Sequence, residues 1–227
     1  KDHRLRVLFP TKLHVEQHEA DSIFEVVTRP NTVAKDWENP TNPQHQHAFT
    51  HLEDQTYGVT IGNYGLNEYE IVDDGVIALT LLRCVGELGD WGYFPTPEAQ
   101  CLGEHRFNYS IEVQPTAEKF VSYQHAYAAQ IPFSTKQLEK QKGTLPQKNQ
   151  YLSCTGETFA ITALKRSKFS DKVVVRGFNM SSHLEKLQIE KNGQSGHLLN
   201  LLEETWEETV DPNLKPYEIR TIGFKEE

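Results

Sequence analysis

Tyr69-Glu70-Ile71-Val72-Asp73-Asp74-Gly75-Val76-Ile77-Ala78-Leu79-Thr80-Leu81-Leu82 decides the fold class. Two apolar, β-branched runs flank Asp-Asp-Gly, residue types that turn a chain tightly, so the segment reads as a β-hairpin. The same grammar repeats outward from it. Toward the N-terminus, Arg4–Phe9 alternates basic and apolar residues as a half-buried strand does, and Ile23–Thr28 and Tyr57–Gly62 are further apolar runs. Toward the C-terminus, Arg106–Val113 puts Phe107, Tyr109, Ile111 and Val113 on one face. Thr158–Leu164, Val173–Phe178, Leu184–Ile189 and Ile219–Phe224 complete the series. Thr116–Gln130 alone carries a helix-start signature, with Thr116 as the cap and Glu118 and Lys119 in the first turn. About ten short strands separated by turn residues predict an all-β sandwich architecture.

The tract Lys136–Gln150 (KQLEKQKGTLPQKNQ) is rich in Lys and Gln and poor in apolar residues, so it reads as a linker. It separates a large β-domain over residues 1–145 from a small β-sandwich over 150–227. The 227 residues are 37% hydrophobic, with a mean hydropathy of −0.60, which supports a core and is not a disordered composition. A net charge of −9 repels phosphate backbones and anionic membrane surfaces, which argues against nucleic-acid and membrane partners. No run approaches the roughly 18 apolar residues of a membrane helix. Cys84, Cys101 and Cys154 are an odd number with no CxxC spacing, which fits free thiols in a reducing compartment, the cytoplasm. Lys1-Asp2-His3-Arg4 runs directly into a strand pattern and reads as a chain entered midway.

Three groups invite a chemical reading. His45, His47 and His51 lie close in sequence, with Glu53 and Asp54 as possible oxygen donors, so they form a candidate metal site. The alternative is a polar surface loop. Glu68 and Glu70 flank Tyr69 and would share one strand face. Glycoside hydrolysis needs two carboxyl groups roughly 5–5.5 Å apart for retention or 6.5–9.5 Å for inversion, and Glu98 is a further candidate. Trp91-Gly92-Tyr93-Phe94 could stack on a sugar ring or pack against a neighbouring domain. There is no GxSxG elbow, no P-loop and no GxGxxG after a strand. The residues by themselves give a β-protein with a polar, aromatic loop system and no complete catalytic set.

Asn63-Tyr64-Gly65-Leu66-Asn67-Glu68-Tyr69-Glu70, followed by Ile77-Ala78-Leu79-Thr80-Leu81-Leu82-Arg83-Cys84-Val85-Gly86, resembles the C-terminal region of glycoside hydrolase family 38. That family contains α-mannosidases and bacterial mannosylglycerate hydrolases. Asp21–Pro30, Thr96–His105 and Pro216–Ile222 resemble it too, and the similarity spans nearly the whole chain. It implies a galactose-mutarotase-like supersandwich, present here without its first strands, followed by a small C-terminal β-sandwich. It implies also that the zinc, the nucleophilic aspartate and the general acid of a retaining α-mannosidase belong to an N-terminal catalytic domain of the same polypeptide. No catalytic residue transfers to this chain, which is expected to be inactive alone, to shape the sugar site for a mannoside substrate, and to expose sheet edges that favour oligomers. Asn63, Tyr64, Glu68, Trp91 and Tyr93 are the substrate-proximal candidates. The family places a basic residue where Tyr64 stands, and a phenol cannot pair with an anion as a guanidinium does. Two other readings remain at this point. One is an independent carbohydrate-binding module that stacks sugar on Trp91 or Tyr93. The other is a metal-dependent hydrolase built on His45, His47 and His51.

Overall fold

The computed structural model describes residues 2–33, 35, 42–73, 75–89, 92–140, 142–144 and 146–225. Contacts divide the chain into two units, Lys1–Gln130 and Ile131–Glu227. The described residues from Ile131 to Gln150 form neither strand nor helix.

The first unit contains strands β1 (His3–Pro10), β2 (Gln17–Ser22), β3 (Glu25–Pro30), β4 (Gln44–His45), β5 (Phe49–Glu53) and β6 (Tyr57–Asn63). It continues with β7 (Glu68–Val72), β8 (Val76–Cys84), β9 (Glu87–Leu88), β10 (Phe94–Pro95) and β11 (Tyr109–Pro115), and ends on helix α1 (Lys119–Ala129). Two antiparallel sheets, in the orders β1-β8-β7-β4 and β11-β6-β5-β2-β3, sandwich one core. Tyr69, Ile71, Ile77 and Leu79 come from the first sheet, and Ala20, Leu52, Val59 and Ile61 from the second. Fully burying a side chain such as Ile77 or Ile61 is worth about 1.5–3 kcal/mol, so this layer dominates the fold's stability. The expected hairpin is present: Tyr69 pairs with Leu79 and Val72 with Val76. Its turn needs Gly75, which has φ +104° and lies where a Cβ would come within 2.1 Å of the Leu13 carbonyl oxygen.

Two local expectations change. The run Ile23–Thr28 is not one strand, because β2 pairs with β3 through Ser22 and Glu25 and Ile23-Phe24 forms the turn between them. No Gly, Asn or Asp marks that turn, and the largely apolar run Ile23–Thr28 disguises it. The helix forms where Thr116–Gln130 predicts it, after a 3-10 turn at Thr116–Glu118. Thr116 does not cap it, however, and its hydroxyl donates to the Asp54 carbonyl at 2.8 Å. Tyr109, Ile111 and Val113 do share a face of β11, opposite Asn63, Ile61 and Val59 of β6. They therefore look toward the core side of the sandwich, yet they are 43%, 57% and 62% exposed, because the facing sheet stops at β1.

The second unit contains β12 (Leu152–Cys154), β13 (Phe159–Arg166), β14 (Lys172–Asn179), β15 (Glu185–Lys186), β16 (Ile189–Lys191) and β17 (Gln194–Ser195). Then follow β18 (His197–Leu199), β19 (Thr205–Glu207), β20 (Asn213–Leu214) and β21 (Ile219–Lys225). A five-stranded sheet, β13-β14-β21-β18-β19, packs Phe159, Val173, Val175, Ile222 and Phe224 against Leu187, Ile189 and Leu214. A small β-sandwich therefore ends the chain.

Candidate functional site

Asn63, Tyr64, His47, His45 and Glu68 lie around the Asn63–Leu66 turn at one end of the first unit. Asn63 is buried and organises it. Its amide nitrogen donates to the His47 carbonyl at 2.9 Å, and its side-chain oxygen accepts the Leu66 N–H at 2.8 Å. Its backbone N–H donates to the Ala48 carbonyl at 2.9 Å, and its carbonyl accepts Gln130 Nε2 at 3.0 Å. Gln46 closes the turn from beneath, donating to the Leu66 carbonyl at 3.0 Å. Tyr64 is carried on this frame, 58% exposed, and its backbone N–H donates to the Asn108 carbonyl at 3.2 Å. Gly65 follows at φ +74° with open space around it. Asn63 is thus the scaffold and Tyr64 the presented group.

Glu68 and Glu70 do share a strand face, and cations consume both. Glu68 accepts Arg4 Nη1 at 3.3 Å and the Thr80 hydroxyl at 2.8 Å, and pairs with Arg83. Glu70 accepts Arg4 Nη2 at 3.1 Å and Arg6 Nη1 at 2.7 Å. Burial alone would raise the Glu68 carboxyl, but the Thr80 hydroxyl and the Arg83 and Arg4 guanidiniums hold it below the usual range. A carboxylate held ionised this way is a poor proton donor. Glu98 sits exposed in the short 3-10 helix Pro97–Gln100. Tyr93 is 73% exposed, and Trp91 lies outside the described residues.

The three histidines part company. His45 is on β4 of one sheet and His51 on β5 of the other. Arg29 lies 3.3 Å from His45 Nε2, and Arg29 Nη1 donates to the His45 carbonyl at 2.6 Å. Burial, then Arg29 and His47, lower the affinity of His45 for a proton. A guanidinium at that nitrogen is incompatible with a cation bound there. His51 is buried, with Nδ1 2.8 Å from the Thr60 hydroxyl and Nε2 3.3 Å from Glu53. His47 is exposed, and its backbone carbonyl serves Asn63. Among the described residues, no group of three or more His, Cys, Asp or Glu is placed to hold a metal ion.

One cluster was not singled out from sequence. Lys119, Tyr123 and Tyr127, spaced four apart on α1, face acidic residues of the second sheet. Lys119 Nζ lies 3.0 Å from Glu19 and 2.9 Å from Glu53, Tyr123 donates to Glu19, and the Tyr127 hydroxyl donates to Asp21 at 2.7 Å. Beside it is a depression of about 550 Å3 whose lining includes Glu16, Glu19, His51 and Glu53. Burial alone would raise the Glu53 carboxyl, but His51 and Lys119 hold it low. Burial raises Asp21 and, with Asp21 beside it, raises Tyr127. The four-residue spacing was the available signal, and it needed acidic partners about a hundred positions away.

Comparison with known proteins places these features. Residues 1–87 match the model of the glycosyl hydrolases family 38 C-terminal domain, and residues 158–222 that of the family 38 C-terminal beta sandwich domain. A protein of Halalkalibacterium halodurans carrying the name "Putative mannosylglycerate hydrolase" is 39% identical over 99% of this chain. The crystal structure of an α-mannosidase from Enterococcus faecalis V583 superposes with a TM-score of 0.90 at 53% identity over 99% of the chain. A second Enterococcus faecalis protein of family 38 gives 0.88 at 51% identity. The chain spans 26% of the length of the first two and 27% of the third. The chain therefore belongs to glycoside hydrolase family 38, of which it carries the C-terminal β-domains.

Proposed function

We propose that this chain is the non-catalytic C-terminal portion of a retaining α-mannosidase-type glycoside hydrolase, bracing the catalytic portion and helping to shape its sugar site. The observation that carries the reading is the open side of the first sandwich. Tyr109, Ile111 and Val113 point to the core side and are only partly covered by the facing sheet, which reaches Tyr109 through Phe9. Apolar side chains in that position are stable when further chain covers them, and the relatives are several times longer. On this reading zinc and the reacting carboxyl groups belong to the N-terminal portion, and Tyr64 reaches toward the mannoside from the rigid Asn63 turn. Three free cysteines fit work in the cytoplasm.

The test is turnover of an aryl α-mannoside by purified residues 1–227, beside the same residues joined to the N-terminal portion. Turnover is expected from the joined polypeptide only. Cleavage by residues 1–227 alone would overturn the reading.

A further inference from the structure

The connection from β2 to β3 breaks the usual chemistry of tight turns. Ser22 pairs with Glu25, so Ile23 and Phe24 are the two turn residues. Such turns favour Asn, Asp and Gly, for which positive φ is cheap. Here a β-branched residue and an aromatic fill them, and Phe24 adopts φ +55°, which crowds its Cβ against its own carbonyl. Phe24 is half-buried against the unit, while Ile23 stands 69% exposed.

The base of this turn is rigid. The Asp21 carboxylate is buried, accepting the Ala48 N–H at 2.7 Å and the Tyr127 hydroxyl at 2.7 Å. The Asp21 carbonyl accepts the His47 N–H at 3.1 Å. His47 and Ala48 in turn hold Asn63, so Ile23 and Tyr64 emerge from one interlocked frame at the same end of the unit. A lone exposed isoleucine is ordinary. A crowded turn that lifts it off a fixed base, where glycine or asparagine would remove the crowding, is not selected by local folding. Crowded backbone of this kind persists at contact and switch regions.

We propose that Ile23 is a docking contact, seated in an apolar depression on the N-terminal portion of the same polypeptide beside the position Tyr64 reaches. This rests on the reading above. The occupant follows from length: the family relatives are polypeptides of which this chain spans 26%, and it matches their C-terminal domains.

The test places the photo-cross-linker p-benzoylphenylalanine at position 23 of the full polypeptide, with a second variant carrying it at position 109. Cross-links from position 23 are expected on the N-terminal portion. In the same polypeptide, Ile23→Asp should speed amide exchange at residues 22–25 by about tenfold or more, and Ile23→Leu should leave it slow. Cross-links from position 23 that fall only within residues 1–227, on a second copy, or nowhere overturn the proposal. If position 109 then still reaches the N-terminal portion, the bracing function stands without it. If neither position reaches, both fail.

Discussion

Lys119→Met tests whether charge or packing fastens helix α1. Methionine keeps the apolar stem and removes the ammonium. Lys119 Nζ lies 3.0 Å from Glu19 Oε1 and 2.9 Å from Glu53 Oε1, which bounds those two oxygens at about 6 Å apart. Removing the ammonium removes the attraction that offset the repulsion between these carboxylates, which for two unit charges at that distance and an effective dielectric of about 20 is about 3 kcal/mol. All three side chains are 23% exposed, so solvent and salt reduce this to about 2 kcal/mol. The sign depends on pH. In the parent chain the Glu53 carboxyl is held low, so its stabilisation is present above its ordinary value of 4.5 and is lost as pH falls through the lower folded value. In the variant Glu53 loses the cation that helps to hold its carboxyl low, so less stabilisation remains to be lost on acidification. The variant's deficit is therefore full at pH 7 and fades as the carboxylates protonate. Urea denaturation of residues 1–227 followed by circular dichroism, with exchange at the α1 amides assigning the loss to the first unit, should give a deficit of about 2 kcal/mol at pH 7. The deficit should be much smaller at pH 4. Equal deficits at the two pH values would refute the electrostatic account.

Other perturbations separate scaffold from presented group. Asn63→Ala strands the His47 carbonyl and the Leu66 N–H in a buried turn, and should lower stability by about 2–4 kcal/mol in a thermal melt. Tyr64→Phe breaks no hydrogen bond of the phenol among the described residues, and should leave the melt unchanged while raising KM for the mannoside in the joined polypeptide. Gly177→Ala puts a Cβ within 2.2 Å of the Ala160 carbonyl oxygen and 2.6 Å of the Phe159 ring, so the second unit should lose about 1–3 kcal/mol or more, read as faster amide exchange in β13 and β14. Glu68→Gln leaves Arg4 and Arg83 short of a counter-charge and should cost about 1 kcal/mol, a loss that shrinks in high salt.

The hairpin from Tyr69 to Leu82 was legible because alternation, apolar content and turn residues agree there. β2 was not, since Gln17–Ser22 (QHEADS) contains almost nothing apolar. It is a buried strand because His18 bonds Asn31 and Tyr69 at 2.6 Å each, and because Asp21 bonds Ala48 and Tyr127. Burial by long-range hydrogen bonding leaves no local pattern to read. The β2–β3 turn was hidden for the opposite reason, as apolar residues stand where polar ones are usual. At the candidate site, the face shared by Glu68 and Glu70 could be read from period two, but their three arginine partners on β1 and β8 could not. The separation of the histidines could not be read either, because nearness in sequence says nothing about which sheet a strand joins.

The acidic pairs and the apolar rim lead to the same division of labour. Glycoside hydrolysis needs one carboxyl group free to attack or activate water and another protonated at the start. Here Glu68 and Glu70 are tied to arginines, Glu19 and Glu53 to Lys119, and Asp21 accepts a phenol and an amide. Each of these carboxylates stabilises tertiary structure in its ionised or hydrogen-bonded state, so recruiting one for proton transfer would loosen the unit that holds it. Among the described residues, the exposed side chains at this end are of another kind: the phenol of Tyr64, the tip at Ile23, and the row Tyr109, Ile111 and Val113, of which Tyr109 touches the Phe9 ring. These can contribute contact area and shape. These five committed acids and the exposed contact groups are what the proposed reading calls for, with the reacting groups in the N-terminal portion of the polypeptide.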